Sequence, residues 1–451
     1  MMPGKQTSRR LPATFSDVGN YDMGHVWESM IHCDVVFPTE VEFERLRRAL
    51  TLCLIAEPVL RAKFVDGAFR PHWAVEPPSS EGGIPWTTLR PSLSADSADT
   101  TDLVAVFLQE RLDPFTSPQI KAASQITPSG IRVILKVNHM VADAGGCKDL
   151  LRLWAKFYSE LERNPDFVPV ENRGSRGGDQ VFRRFPLRRI LTSGRDYFRG
   201  MRKEHSLGPV VELPASWEGV GTWEYVTHEL ASHTMTIGQH LCRRADCTWN
   251  DILVAAWARV LPRLAGNPED RILRVTGTVD LRRHLPNREA EAICNLSAFL
   301  AVDLGPLVEE PFQTTLQRVT EQTRTLKAGP LGLDSLVGMA FPVALMPHFL
   351  RKRLVRELFP KMKRDGKVAP ALTNTGQISE ESLRFGEHVP ARAAILSPPS
   401  VPPFFFAAAS GYRTTITLSA ATSPESIEPA LVRQLFEGME REITSTTDPL
   451  R

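Results

Sequence analysis

Residues Ile131 to Leu153 read IRVILKVNHMVADAGGCKDLLRL, and the reading of this stretch decides the fold. Ile131, Val133, Leu135 and Val137 alternate with Arg132, Ile134 and Lys136, the period-two pattern of a strand. From Cys147 onward the period changes: Leu150, Leu151, Trp154, Phe157, Tyr158 and Leu161 fall at helical spacing. Between strand and helix lie Asn138, His139, Met140, Val141, Ala142, Asp143, Ala144, Gly145 and Gly146. A strand that stops, shows a histidine and turns through glycines into a helix can present a base at the rim of a cleft. The same residues also make an ordinary strand-to-helix turn, so the rest of the chain must decide.

Toward the N-terminus, Ile120 to Ile126 reads as a strand that turns at Pro128-Ser129-Gly130 into the first. A helix is expected from Asp102 to Arg111, with polar Pro/Ser-rich loops over Glu76 to Gly83 and Pro91 to Thr101. Ile31 to Phe37 is strand-like, and Thr39 is placed to cap a helix from Glu40 to Glu57. Pro58 closes that helix, and a hairpin turns at Asp66-Gly67. Residues 1–12, rich in Lys, Arg, Ser and Pro, read as a disordered lead-in.

Toward the C-terminus, the helix ends near Asn164-Pro165 and a basic stretch follows, from Arg173 to Lys203. It reads as a solvated inter-domain linker and an amphipathic helix, or as a surface for acidic partners or anionic lipid. A second alternation of strands and helices begins near Glu224. Its strands are expected at Arg271 to Asp280, Asn295 to Leu304, Ala371 to Gly376, Ala391 to Leu396, Phe404 to Ser410 and Tyr412 to Ala420. Its helices are Ile237 to Arg244, Ile252 to Leu264, Pro311 to Lys327, one or two within Leu336 to Lys363, and Glu425 to Thr444. Each half opens with a strand and a helix, which suggests two related α/β (α+β) domains, 13–205 and 206–451.

The composition excludes several classes. At 451 residues the chain is long enough for two cores. A net charge of +2 argues against a dedicated nucleic-acid binder. The six cysteines lack metal-ligand spacing and read as reduced thiols of a cytoplasmic protein. The N-terminus has no apolar core behind its basic residues, as a signal peptide would, and the longest apolar run, Leu336 to Leu350, is too short to span a bilayer. HExxH, paired CxxC, a strand-linked GxGxxG, a P-loop and GxSxG are all absent. Of eleven histidines only His139 has a suggestive setting, and with Asp143 it offers too few ligands for a metal.

The segment from Asn138 to Gly146, after an apolar strand and before a Leu-rich helix, resembles the HHxxxDG motif of the chloramphenicol acetyltransferase-like superfamily. That group includes condensation domains, alcohol acetyltransferases and polyketide-associated acyltransferases. Further stretches are similar in the family's order: Leu46 to Trp73, TWNDILVAAWARVL from Thr248, VDLRRHLP from Val279, ICNLSAFLAVDL from Ile293, and LTNTGQI from Leu372. Asn138 stands where the family has its first histidine, and Ala144 where it has glycine.

The resemblance implies two such domains as a pseudo-dimer with a central tunnel. His139 would be the general base, taking a proton from an alcohol or amine acceptor as it attacks an acyl thioester. Asp143 would pair with Arg282 and hold the His139 loop against the second half. Without the family, Asp143 is an acidic residue favourable to the next helix's dipole. Gly145 and Gly146 would let a pantetheine arm pass, or only make the turn. Asn295, Thr373 and Asn374 would line the cleft or polarise the carbonyl. No bound cofactor is implied; the co-substrate would be acyl-CoA or a phosphopantetheinyl carrier thioester. An acyl- or peptidyl-carrier protein is an implied partner, and peripheral membrane contact a further one. The alternatives are a condensation-type amide synthase on carrier-bound substrates, and a non-catalytic binding or scaffold protein.

Overall fold

The structure, a computed structural model, describes residues 9–24, 29–77, 83–89, 103–116, 118–127, 130–216, 221–266, 268–306 and 308–445. The period-two stretch builds the strand Gly130–Asn138, antiparallel to Met30–Phe37 on one side and to Ile120–Thr127 on the other. Gly130 starts it at φ +133, where a Cβ would lie 1.8 Å from the Phe37 carbonyl oxygen, so only glycine fits. Pro128 and Ser129 lie outside the described residues.

The five-stranded sheet runs Arg392–Leu396, Met30–Phe37, Gly130–Asn138, Ile120–Thr127, Trp86–Leu89. The helices Phe43–Ala56 and Ala144–Arg163 pack together against it, burying Leu46, Leu50, Trp154 and Tyr158 with Phe37 and Phe385. Each such side chain contributes about 1.5–3 kcal/mol by leaving water. The second sheet has six strands: Ser297–Pro306, Ile272–Asp280, Ala371–Ile378, Phe406–Tyr412, Thr415–Thr422, Glu224–Glu229. Trp249–Leu264 and Pro429–Thr444 cover it around Trp257 and Phe436. Thr248 and Asp251 form the capping box that starts the first of these helices.

Two features cross the expected division at 205/206. The edge strand Arg392–Leu396 belongs to the second half in sequence but completes the first half's sheet, with Ala394 opposite Asp34. Ile378, Leu383, Phe385 and Tyr412 likewise pack into the first core. The basic stretch is also no free linker. Arg176, half-buried, pairs with buried Asp17 at 2.9 Å and donates to the carbonyls of Val141 and Ile293, so it ties both halves together. The amphipathic helix beyond it is Leu187–Ser206.

Two local expectations are corrected, and one strand was not foreseen. Arg9–Pro12 is not part of a disordered lead-in: it is a strand paired with His72–Val75, in a small sheet completed by Ala62–Val65. Thr39 does not cap the helix, which starts at Phe43 with Glu42 at the cap; the Glu42 N–H donates to the Tyr158 hydroxyl instead, so a tertiary contact holds the chain extended longer. Trp86–Leu89, between the two polar loops, is a short parallel edge strand anchored by the Trp86 indole N–H to Ser124 Oγ at 3.0 Å. Among the described residues no helix is long and apolar enough to cross a membrane.

Candidate active site

The strand from Gly130 ends because Asn138 turns its own backbone. Its buried Oδ1 accepts the Met140 N–H at 3.0 Å and its carbonyl accepts Val141 N–H at 2.9 Å. An asparagine side chain that hydrogen-bonds two residues on mimics a turn. Gln119 locks the geometry, accepting from Asn138 Nδ2 at 2.8 Å. His139 is thereby lifted out of the sheet. Its N–H donates to the Ser29 carbonyl at 2.7 Å, and its carbonyl accepts from Asn20 Nδ2 and Asn295 Nδ2.

The His139 imidazole is crowded by protein yet partly open. Nδ1 is sealed from solvent, near the ring's own backbone, the Ala142 backbone and the Asn295 side chain. Asn295 Oδ1 is also buried and unmatched, whereas its Nδ2 is committed to the His139 and Met140 carbonyls at 3.0 and 2.9 Å. A proton on the enclosed Nδ1 would leave Nε2 as the accepting nitrogen. Burial lowers the imidazole's pKa below the ordinary histidine value, outweighing the neighbouring acceptors and Asp143.

Four residues on, Asp143 is buried and saturated. Its Oδ1 caps the helix through Gly146 N–H at 2.7 Å, and Oδ2 accepts from Leu296 N–H and the Ser297 hydroxyl, both at 2.7 Å. Arg282 Nη1 lies 3.1 Å from Oδ1. Burial pushes the carboxyl's pKa up, but the guanidinium and these hydrogen bonds outweigh it and hold the group below its usual range. Arg282 is itself shared: Nη2 donates to the Cys294 carbonyl at 3.0 Å, and Asp280 and Asp149 stand at 3.3 Å. Burial works against its charge, yet the surrounding carboxylates raise its pKa.

The structure thus gathers His139, Asp143, Arg282, Asn138 and Asn295 in one place, although Asn295 precedes its strand, which begins at Ser297. A Cβ on Gly145 would sit 2.2 Å from Arg282 Nη1, and one on Gly146 2.7 Å from the Cys294 carbonyl oxygen, so both glycines abut the second half. Thr373 and Asn374 lie on Ala371–Ile378, whose link to the site is Lys148 Nζ donating to the Thr375 carbonyl; Asn374 Oδ1 accepts Gly376 N–H at 2.9 Å. Among the described hydrogen bonds, none joins either residue to His139. Gln119, Asn20 and Ser297 hold the loop but carry no signal in the sequence, being polar residues remote from or flanking the motif.

A cavity of about 390 Å³ is lined by Asn138 and Met140, which flank His139 in sequence, while His139 is not among its lining residues. Tyr21, Phe115, Arg111, Lys352 and Arg356 line its outer part. Buried His348 lies between two carboxylates, Asp22 at 2.8 Å and Asp66 at 2.9 Å, clasping the second half's helix to the first half. Among the described residues no cluster of three or more His, Cys, Asp or Glu side chains is placed to hold a metal ion.

No family model and no curated protein sequence matches the chain. Solved structures do. The first condensation domain of the calcium-dependent antibiotic synthetase, in complex with a substrate analogue, superposes with a TM-score of 0.71 at 16% identity, covering 98% of both chains. TRI3 trichothecene 15-O-acetyltransferase from Fusarium sporotrichioides gives 0.71 at 14% identity, over 97% of this chain and 94% of that one. Polyketide synthase associated protein 5 from Mycobacterium tuberculosis gives 0.62 at 14%, over 96% and 98%. The chain has the chloramphenicol acetyltransferase-like fold, a mixed α/β pseudo-dimer, over nearly its whole length.

Proposed function

We propose that the chain is an acyltransferase that moves an acyl group from a thioester to an alcohol or amine, with His139 as general base. The observation that carries this is an imidazole with a buried Nδ1 and a lowered pKa, flanked in sequence by Asn138 and Met140, which line a cavity. Nε2 takes the proton of the attacking O–H or N–H, the new C–O or C–N bond forms, the C–S bond breaks, and the imidazolium returns the proton to the departing thiolate. His139 acts as a base and forms no bond to the acyl group. Asp143 and Arg282 are positioning residues that fix the loop. Asn295, with both amide hydrogens held by carbonyls, orients the ring and is not the oxyanion donor.

The donor is acyl-CoA or a phosphopantetheinyl carrier thioester, since either presents the same reacting group. The near-complete overlap with a condensation domain keeps amide synthesis on carrier-bound substrates as the second reading. The test measures thiol release from acyl-CoAs and acyl-pantetheines with mixed alcohols and amines, wild type beside His139→Ala. Release that needs both acceptor and His139 supports the transferase. Release only from carrier-bound donors moves the assignment to the condensation reading. Release from free and carrier-bound donors alike that ignores His139 removes the catalytic role.

A further inference from the structure

The helix Leu187–Ser206 has six Lys/Arg against two Asp/Glu, and His348–Arg364 has seven against one. These helices carry +4 and +6, while the whole chain carries +2, so everything else is −8. Such charge is usually displayed on a face that is otherwise polar. Here the outward residues are also large and apolar. Leu350, Leu354 and Leu358 form one exposed stripe at four-residue spacing, with Arg353, Lys361 and Arg364 exposed beside it. Leu345, 80% exposed, ends the preceding helix Leu333–Leu345, and Phe69, 71% exposed, packs edge-on against exposed Phe349 at 6.2 Å.

The Leu187–Ser206 helix repeats the pattern: exposed Leu187, Leu191 and Phe198 share a face, with Arg188, Arg195 and Arg202 alongside. The helix Leu333–Leu345 connects the two basic helices. Gly194 meets Val337, and Gly338 meets Tyr197, so Leu333–Leu345 lies on Leu187–Ser206 and then runs directly into His348–Arg364. An exposed apolar stripe flanked by cations is the pattern of a helix that lies in a bilayer interface.

We propose that these basic helices dock on an anionic lipid bilayer. The apolar side chains enter the acyl boundary while the arginines and lysines meet headgroup phosphates. Two separate basic-apolar helices fit an extended surface better than the small footprint of an acidic carrier protein. Lys352 and Arg356, which line the cavity beside Asn138 and Met140, project from the same helix. They lie on the side of that helix opposite the Leu350, Leu354 and Leu358 stripe, so the docked face and the cavity-lining face are distinct. The binding itself does not depend on the transfer reaction.

The experiment is co-sedimentation of the full chain with phosphatidylcholine vesicles, with and without phosphatidylglycerol, at low and high salt. Wild type is expected to sediment with the anionic vesicles alone, and less at high salt. Leu350→Ser/Leu354→Ser/Leu358→Ser is expected to stay in the supernatant. Arg353→Gln/Lys361→Gln/Arg364→Gln, which disturbs no packing, is expected to bind about fivefold more weakly per lost cation. Failure of wild type to bind anionic vesicles, or binding as tight as wild type by both variants, overturns the proposal. So does a result in which wild type ignores vesicles while the charge variant loses transfer from a carrier-bound donor; the helix then belongs to a carrier.

Discussion

At the scale of single residues, the site separates a reacting group from the groups that hold it. His139→Ala is expected to leave the melting temperature near wild type and to lower turnover by roughly 10²-fold or more. Because burial lowers the His139 pKa, the folded chain resists its protonation more than the unfolded chain does. The acid limb of kcat/KM should therefore lie below the ordinary histidine value of 6.5, and the stability this group contributes is lost as pH falls through that value. Asn295→Asp places a carboxylate beside Nδ1 and should move the acid limb upward, which a pH–rate profile reads directly; an unmoved limb would mean that Asn295 does not face the ring. Asp143→Asn leaves Arg282 buried among fewer charges and should cost about 3–5 kcal/mol by chemical denaturation. Asp143's folded pKa is depressed, so its contribution is complete above the usual carboxylate range and fades as acid titrates it. Much of this was readable in the sequence: His139 and Asp143 stand four apart at a strand-to-helix switch, and Arg282 sits in VDLRRHLP. Gln119, Asn20 and the Asn295–His139 contact were not, because side-chain partners on other elements, 19 residues away for Gln119 and more than a hundred for Asn20 and Asn295, leave no periodic trace.

At the scale of elements, the helix Ala144–Arg163 is the one whose placement the chemistry needs. Asp143 caps it, Gly145 admits Arg282 over its first turn, and Trp154 and Tyr158 bury its far side. Gly145→Ala should destabilise by about 1–3 kcal/mol, because a methyl group would displace the guanidinium. A combined Gly145→Ala/Asp143→Asn variant should cost less than the sum of the two, since both act on Arg282. Elements with clean periodicity, such as Gly130–Asn138 and Trp249–Leu264, were legible. Trp86–Leu89 was not: four residues between polar loops hold too few alternations to register, and only the neighbouring strand makes them a strand. The Phe43 helix start escaped for the opposite reason, a distant tyrosine hydroxyl winning over a local threonine.

At the scale of the whole molecule, the two halves are interlocked rather than merely adjacent. Arg392–Leu396 finishes the first sheet, Arg176 reaches into both halves, and His348 clasps Asp22 and Asp66. The chain should therefore unfold in one cooperative transition by both fluorescence and circular dichroism, and residues 13–205 made alone should be insoluble. Two transitions, or a soluble folded fragment, would refute the interlock. His348→Gln removes one side of the clasp and should weaken the hold on the cavity's outer wall, seen as faster proteolysis within 346–364 at an unchanged content of helix.

The exchanged strand also sets an order of events during synthesis. Met30–Phe37 leaves the ribosome hundreds of residues before Arg392–Leu396 exists to pair with it. Until then the nascent first half carries an open β-edge, Met30–Phe37, whose residues are almost all buried in the finished fold. An unpaired edge of that kind templates the wrong partner, and pairing across so long a separation is slow. The time the growing chain spends with this edge bare, rather than the strength of the finished contacts, then governs how much of the protein reaches its native state, and a chaperone that shields the edge until translation ends would raise that yield.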